Sequence, residues 1–363
     1  MQACNALEPR LRLARRLFAM TLKKNTTLIR WLESLWYRVS FWHLFLLPIA
    51  ALFGFLSGFR RALYTSGWIK VQRLPVPVIV VGNITVGGSG KTPLVIWLIE
   101  MLKSQGYHPG IVSRGYGGSL KALIEVDANL TPAQVGDEPV LLMQRTGCPV
   151  FVCPDRGLAA RALLARHSDV DVIIADDGMQ HYPLARDIEI AVVDGERGFG
   201  NGFRLPAGPL REPVSRLKSV HAIVVNGRHM SAGLLPNAIS MRLAGDMLYR
   251  LTNPSERKQV SEFSRAAVHA IAGIGNPSRF FSHLRNLGLR PEEHSFPDHY
   301  AFQPEDLAFP GNGPILMTEK DAVKCKPFAT NRCWVLPVDA EMPPAFAENI
   351  LTLLSRINGF KAA

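Results

Sequence analysis

The sequence predicts an α/β fold with a mostly parallel sheet. Two stretches and the composition carry that expectation. Pro77 to Val81 is a short β-branched run that reads as a buried strand, followed by Gly87, Gly88 and Gly90 and then Lys91, Thr92 and Pro93. Val170 to Asp177 reads VDVIIADD, an apolar strand that ends in two carboxylates. The chain has 363 residues, 47% hydrophobic and 20% charged, enough for packed cores and for two domains of ordinary size.

The first stretch is the phosphate cradle of a P-loop protein: a strand, a glycine-rich turn, Lys-Thr and a helix expected from about Leu94 to Lys103. Glycines let backbone N–H groups converge on phosphate oxygens, and the helix N-terminus adds partial positive charge. Thr85, Val86, Gly87, Gly88, Ser89, Gly90, Lys91 and Thr92 are therefore the candidate nucleotide-binding residues, with Thr85 where the strict pattern has Gly. Lys91 would reach the β- and γ-phosphates of ATP, and the Thr92 hydroxyl would hold Mg²⁺. Asp176 and Asp177 are the strand-end carboxylates for the same ion. Spacing does not say which of them touches the metal.

Charge is concentrated at the front of the chain. Twelve of the 41 basic residues, but only two of the 30 acidic ones, lie in residues 1–73, so the net +11 belongs almost wholly to that segment. This pattern argues against a nucleic-acid-binding face on the body and favours attraction to anionic membrane lipid. Phe41 to Phe59 contains no charged residue and would span about 28 Å as a helix, close to the hydrocarbon thickness of a bilayer. Trp36, Tyr37 and Trp42 flank one end and Arg60 and Arg61 the other, as membrane anchors do. A buried core helix is the competing reading; a cleaved signal peptide does not fit, because the apolar run starts late. The five cysteines form no CxxC pair and read as reduced thiols. The expected organisation is a basic extension over residues 1–34, a membrane-associated helix over 35–70, a P-loop domain over 71–245, and a smaller α/β domain with a linker over 246–363.

Further blocks narrow the reading. They are GNITVGGSGKTP from Gly82, SRGYGG from Ser113, GDEP from Gly136, DDGMQH from Asp176, GNGFRLPAGPLREP from Gly200, IAGIGNPSRFF from Ile271, FPDHY from Phe296 and LMTEKDAVKC from Leu316. In this order the chain resembles the tetraacyldisaccharide 4′-kinase family from about Leu35 to Val338. Phe203-Arg204 and Tyr300 are small departures from the family pattern. The resemblance implies a RecA-like P-loop domain with a smaller α/β domain, on the cytoplasmic face of a bacterial inner membrane. It implies transfer of the ATP γ-phosphate to the 4′-hydroxyl of a tetraacylated glucosamine disaccharide 1-phosphate, with no nucleic acid and no obligate protein partner. The alternative is a membrane-associated P-loop NTPase, or a kinase with a different acceptor.

Carried over from the family, Asp137 of GDEP is the expected base and His299 of FPDHY its helper. Read locally, Asp137 also fits a helix N-cap and His299 an exposed loop histidine. Glu138 and Glu212 are expected to support the metal shell, His181 to lie near the γ-phosphate, and Asp298 to orient the His299 ring. Arg114 and Tyr116 are candidates for binding nucleotide or the lipid 1-phosphate. Thr318 to Asp321 is read as a helix-start capping box rather than as a guanine-reading motif. Asp137 and His299 fall in different expected domains, so domain closure would complete the site.

Overall fold

The computed structural model describes residues 34–227, 235 and 237–361, with side chains through residue 357. The expected basic extension and Cys4 lie outside the described residues, apart from Ser34. The described chain forms two units, one of residues up to 62 with Phe199–Val214, the other of Leu63–Gly198 with the chain from Ser215.

In the first unit, helix α1 (His43–Thr65) carries the apolar run and contains Pro48. Its narrow inner stripe is His43, Ala50 and Gly54, which are buried. That stripe faces Phe199–Val214: Asn201 Nδ2 bonds His43 Nε2 at 3.0 Å, and a Cβ on Gly54 would fall 2.2 Å from the Arg204 guanidinium. Leu44, Phe45, Ile49, Leu52, Phe55, Leu56 and Phe59 remain exposed. Only 17% of its most apolar window is buried, so it is not a core helix. Among the described residues it is the one helix long and apolar enough to cross a bilayer.

The second unit holds two sheets. The larger has the order β15-β8-β7-β6-β1-β5-β2-β4-β3. Its strands are β1 (Val78–Gly82), β2 (Pro109–Ser113), β3 (Ile124–Glu125), β4 (Val150–Val152), β5 (Val172–Asp176), β6 (Ile188–Asp194), β7 (Ala222–Asn226), β8 (Ile239–Ala244) and β15 (Asp339–Glu341). Only β3 and β15, at the two edges, run antiparallel to their neighbours. The central strands are buried throughout and β-branched, as a sheet covered on both faces requires. Helix α2 (Lys91–Ser104) buries Leu94, Val95, Leu98, Ile99 and Leu102 against it. That helix begins three residues before the expected Leu94, because Pro93 is tolerated in a first turn, where its missing N–H has no helical partner to lose. Short α3 (Pro132–Val135), α4 (Asp137–Thr146) and α5 (Arg156–Arg166) complete this part.

The smaller sheet has the order β10-β9-β14-β13-β11-β12. It comprises β9 (Met247–Arg250), β10 (Asn253–Gln259), β11 (His269–Ala272), β12 (Glu292–Ser295), β13 (Ile315–Thr318) and β14 (Cys333–Leu336), with α6 (Pro277–Asn286) and α7 (Glu319–Cys325). The segment 246–363 is not confined to this sheet. β15 pairs with β8, and α8 (Pro344–Lys361) buries Phe346, Ile350 and Leu354 in the core of the larger sheet. An amphipathic helix must bury its apolar face somewhere, and α2 offers Trp97, whose ring stacks on Phe346 at 5.4 Å.

Candidate active site

β1 and β5 are adjacent and in register, Val81 opposite Asp176, so the glycine loop and the paired carboxylates leave the sheet side by side. Three side chains engage the loop's carbonyl oxygens. Asn83 Nδ2 donates to Gly87 O at 3.2 Å, Asn226 Nδ2 to Ser89 O at 3.1 Å, and Arg197 Nη2 to Gly88 O. With the carbonyls held on protein donors, the loop's N–H side is left for an anion. Lys91 opens α2, is nearly buried, and places Nζ 3.4 Å from Asp177 Oδ1. Buried Arg156, at the start of α5, donates to the carbonyls of Asp176 and Asp177 at 3.2 and 2.8 Å and so fixes the turn that carries the acids.

Asp176 is fully buried, and its Oδ1 has no hydrogen-bond partner. Its pKa is pushed up to about 7, first by burial and then by the neighbouring Glu138 and Asp177 carboxylates, against the pull of Lys91 and Arg156. A buried carboxylate with a spare oxygen, repelled by two more acids beside a phosphate cradle, has the chemistry of a site for a hard divalent cation. Thr92, Asp176, Asp177 and Glu138 could hold it.

Asp137 and His299, 162 residues apart, are brought into direct contact: His299 Nδ1 lies 2.9 and 3.0 Å from the two Asp137 oxygens. No closure is needed to join them. Asp137 is the first residue of α4, not its cap; Gly136 holds the cap position, and Glu138 N donates to Asp137 Oδ1. Burial alone would raise the Asp137 pKa. The His299 hydrogen bond and the charges of Lys320, His299 and Lys324 overturn that and bring it to about 2. Burial likewise opposes charge on His299, yet its hydrogen bond to Asp137 outweighs this and the repulsion of Lys320, and its pKa is raised.

Asp298 does not orient the ring. It accepts from the His299 backbone N–H at 3.1 Å and stands 3.8 Å from Nε2, beyond hydrogen-bond reach. The ring is set by Asp137 and by Tyr116, whose ring meets it edge-on at 4.9 Å. Arg114 is exposed and follows β2. His181 lies 4.0 Å from Asp155, the residue that caps α5. Glu212 is buried within Phe199–Val214, in the first unit.

Lys320 and Lys324 are functional candidates that the sequence reading passed over. Thr318 and Asp321 do form the expected capping pair, with Asp321 N donating to Thr318 Oγ1 at 3.2 Å. Between them Lys320 Nζ sits 3.0 Å from Glu138, 3.4 Å from Asp298 and 3.4 Å from His299 Nε2. Burial disfavours its charge, but the carboxylates of Glu138, Asp137 and Asp298 more than offset this and keep it protonated. Lys324 Nζ lies 3.7 Å from Asp137 and 2.9 Å from Asp321.

Asp177 and His299 are the two non-glycine residues with left-handed backbone among the described residues, at φ 46° and 57°. Such conformations persist where the surroundings impose them, and both lie at this site. Gly136, at φ 98°, is more constrained still: a Cβ would fall 2.5 Å from the Tyr116 carbonyl. Gly136→Ala should cost about 1–3 kcal/mol of stability and lower turnover by displacing Asp137. Gly147 caps the other end of α4 with open space around it, so Gly147→Ala should lower the melting temperature less and leave turnover intact. Thermal melts and initial rates of the two variants check this.

A cavity of about 920 Å³ is lined among others by Gly88, Lys91, Glu138, Asn276, Arg279 and Lys320, so it reaches the dyad's neighbours Glu138 and Lys320 while Asp137 and His299 are not among its lining. Both sheets contribute to it. Asp194 at the end of β6 joins them, accepting from Arg197 at 3.0 Å, Arg279 at 2.6 Å and Asn276 at 3.2 Å.

Residues 42–355 match the family described as tetraacyldisaccharide-1-P 4′-kinase. The chain is 50% identical over 328 residues to the tetraacyldisaccharide 4′-kinase of Methylobacillus flagellatus, covering 90% of this chain and 97% of that one. It is 52% identical over 316 residues to the enzyme of the same description from an Azoarcus species, covering 86% and 92%. Among solved structures it is similar to LpxK from Aquifex aeolicus in complex with ATP, with a TM-score of 0.69 and 29% identity over 85% of this chain and 98% of that one.

Proposed function

This chain belongs to the tetraacyldisaccharide-1-P 4′-kinase family, and we propose that Asp137 and His299 act as one base on its acceptor hydroxyl. The enzyme transfers the γ-phosphate of ATP to the 4′-hydroxyl of tetraacyldisaccharide 1-phosphate, forming lipid IVA, with Mg²⁺ as the metal. The 4′-oxygen forms the new bond to phosphorus, the bond from the γ-phosphorus to the β–γ bridging oxygen breaks, and ADP leaves. The hydroxyl proton goes to the dyad.

The observation that carries this reading is the 2.9 Å contact between Asp137 and His299, whose neighbours Glu138 and Lys320 line a cavity together with the glycine loop. A carboxylate with a pKa of about 2 is a weak base alone. Coupled to a neutral imidazole it gains a second place for the proton. Lys320 holds the outer ring nitrogen's side of the pair and ties it to Glu138. Thr92, Asp176, Asp177 and Glu138 would hold Mg²⁺, which gathers phosphate charge as the bond to phosphorus changes hands. Lys91 and the loop N–H groups orient the triphosphate.

The dyad loses its basicity when His299 is protonated. Because the His299 pKa is raised, turnover should climb with pH through a midpoint above histidine's ordinary 6.5. A kcat–pH profile in saturating substrates checks this, and His299→Gln should remove that limb.

The enzyme is membrane-associated, and we assign it to the cytoplasmic face of the inner membrane. The inner stripe of α1 is covered by Asn201 and Arg204, with Arg204 over the helix midpoint at Gly54. A guanidinium at the centre of a bilayer is costly, so this packing favours a helix lying in the interface over one that spans. Its exposed aromatic and aliphatic side chains meet the acyl region, and Arg60 and Arg61 meet anionic headgroups.

The test is to supply [γ-³²P]ATP, Mg²⁺ and tetraacyldisaccharide 1-phosphate in detergent. Label should appear in a bisphosphorylated lipid. Label released only as inorganic phosphate by folded protein would instead support a membrane-associated NTPase.

A further inference from the structure

We propose that His269, Glu292 and His294 form a second metal site, for Zn²⁺ or a similar transition-metal ion, at the edge of the smaller sheet. It involves none of the residues placed in the phosphate-transfer machinery.

The site follows from strand register. β11 and β12 run parallel, with His269 opposite Glu292 and Ile271 opposite His294. Glu292 and His294 are two apart on one strand and so share a face; His269 is the cross-strand neighbour on that face. Their donor atoms all lie within 4.8 Å of one another. His269 Nδ1 is 3.2 Å from His294 Nε2 and 3.3 Å from Glu292 Oε2, and His294 Nε2 is 3.8 Å from Glu292 Oε1. Ligands held about 2.0–2.1 Å from a tetrahedral ion stand roughly 3.3 Å from each other. The two separations from His269 are already at that value, and Glu292, which turns a different oxygen to each histidine, is at the surface and can rotate to offer one oxygen to the ion.

The donor set selects the ion. Two imidazoles and one carboxylate suit Zn²⁺ and its neighbours and are poor ligands for Mg²⁺, which takes oxygen. The two ring nitrogens face each other at hydrogen-bond distance, so at most one of them carries a proton between them; a cation replaces that proton. Phe309 stacks on both rings, at 4.5 Å from His269 and 4.2 Å from His294, which holds their planes and shields one side. Three protein ligands leave a fourth position for water.

His269 and Glu292 open their strands, whereas Gly275, His299 and Lys320 follow the opposite ends of β11, β12 and β13. An ion here would staple edge strand β12 to β11 upstream of the turn that carries His299. Its role is structural, and its occupancy is independent of the catalytic Mg²⁺.

The full-length protein in detergent, stripped with a chelator, is titrated with Co²⁺ as a spectroscopic probe and then with Zn²⁺. One equivalent of Co²⁺ should give the strong visible absorption of a tetrahedral centre. One equivalent of Zn²⁺ should displace it, and excess Mg²⁺ should not. Glu292→Gln and His294→Gln should each weaken Zn²⁺ binding at least tenfold, and Asp176→Asn should leave it unchanged. Glu292 is 67% exposed, so its variant reports on binding without risk to folding. Absence of the tetrahedral absorption, unchanged affinity in Glu292→Gln, or loss of binding in Asp176→Asn would each overturn the proposal.

Discussion

Asp137→Asn should lower single-turnover phosphate transfer by about 10²–10⁴-fold, the range a positioned general base contributes. Asparagine keeps the shape of the side chain and removes its charge and basicity. The surrounding cations keep other partners: Lys320 retains Glu138 and Asp298, and Lys324 retains Asp321. The fold should therefore survive, as far-UV circular dichroism and a thermal melt would report. Affinity for ATP should change little, because Asp137 does not belong to the phosphate cradle. Removing the carboxylate also removes the hydrogen bond that raises the His299 pKa, so the residual activity should titrate at lower pH than in the parent enzyme. A rise in the KM for ATP with unchanged transfer rate would assign Asp137 to binding instead.

Lys91→Ala should lower kcat/KM for ATP by about 10²–10³-fold, the cost of removing one group that stabilises charge on a transferring phosphoryl group. Lys91 is fixed before nucleotide arrives: it is the first residue of α2, nearly buried, with its ammonium 3.4 Å from Asp177. Little rotamer freedom is left for binding to remove, so most of its electrostatic effect reaches the phosphates. Arginine should not restore activity. A planar, forked guanidinium does not reproduce the compact point charge of an ammonium in a pocket built around Lys91. Steady-state rates against ATP concentration for the two variants measure this.

The parts of the site that follow a strand directly were readable from the chain. A β-branched run that leads into a glycine-rich turn and Lys-Thr points to a phosphate cradle, and with that loop upstream a second strand ending in paired acids points to its metal side. The Asp137–His299 pairing came through the family resemblance, since no local pattern links residues 162 positions apart. Lys320 lies inside a stretch whose capping reading is correct: Thr318 and Asp321 cap the helix as expected, and that reading assigns nothing to the lysine between them. Its place at the second position of a helix after a strand end was the available signal. Asp298 adjoins His299 in sequence, yet its carboxylate accepts from the His299 backbone N–H and not from the ring, a choice that sequence proximity does not decide. Asp194 and Arg197 pair locally, three residues apart, but both, like Arg156, also engage distant segments that nothing in their neighbours announces. The return of β15 and α8 to the larger sheet was equally out of reach, because an apolar helix face does not say which core it will join.

The central claim is that Asp137 and His299 work as one base. Its most direct test is single-turnover transfer to tetraacyldisaccharide 1-phosphate by Asp137→Asn, His299→Gln and the double variant. Groups that act as a unit are strongly non-additive, so the double variant should be about as slow as Asp137→Asn alone. A double variant slowed by the product of the two single effects would mean that the residues act independently, and would contradict the dyad.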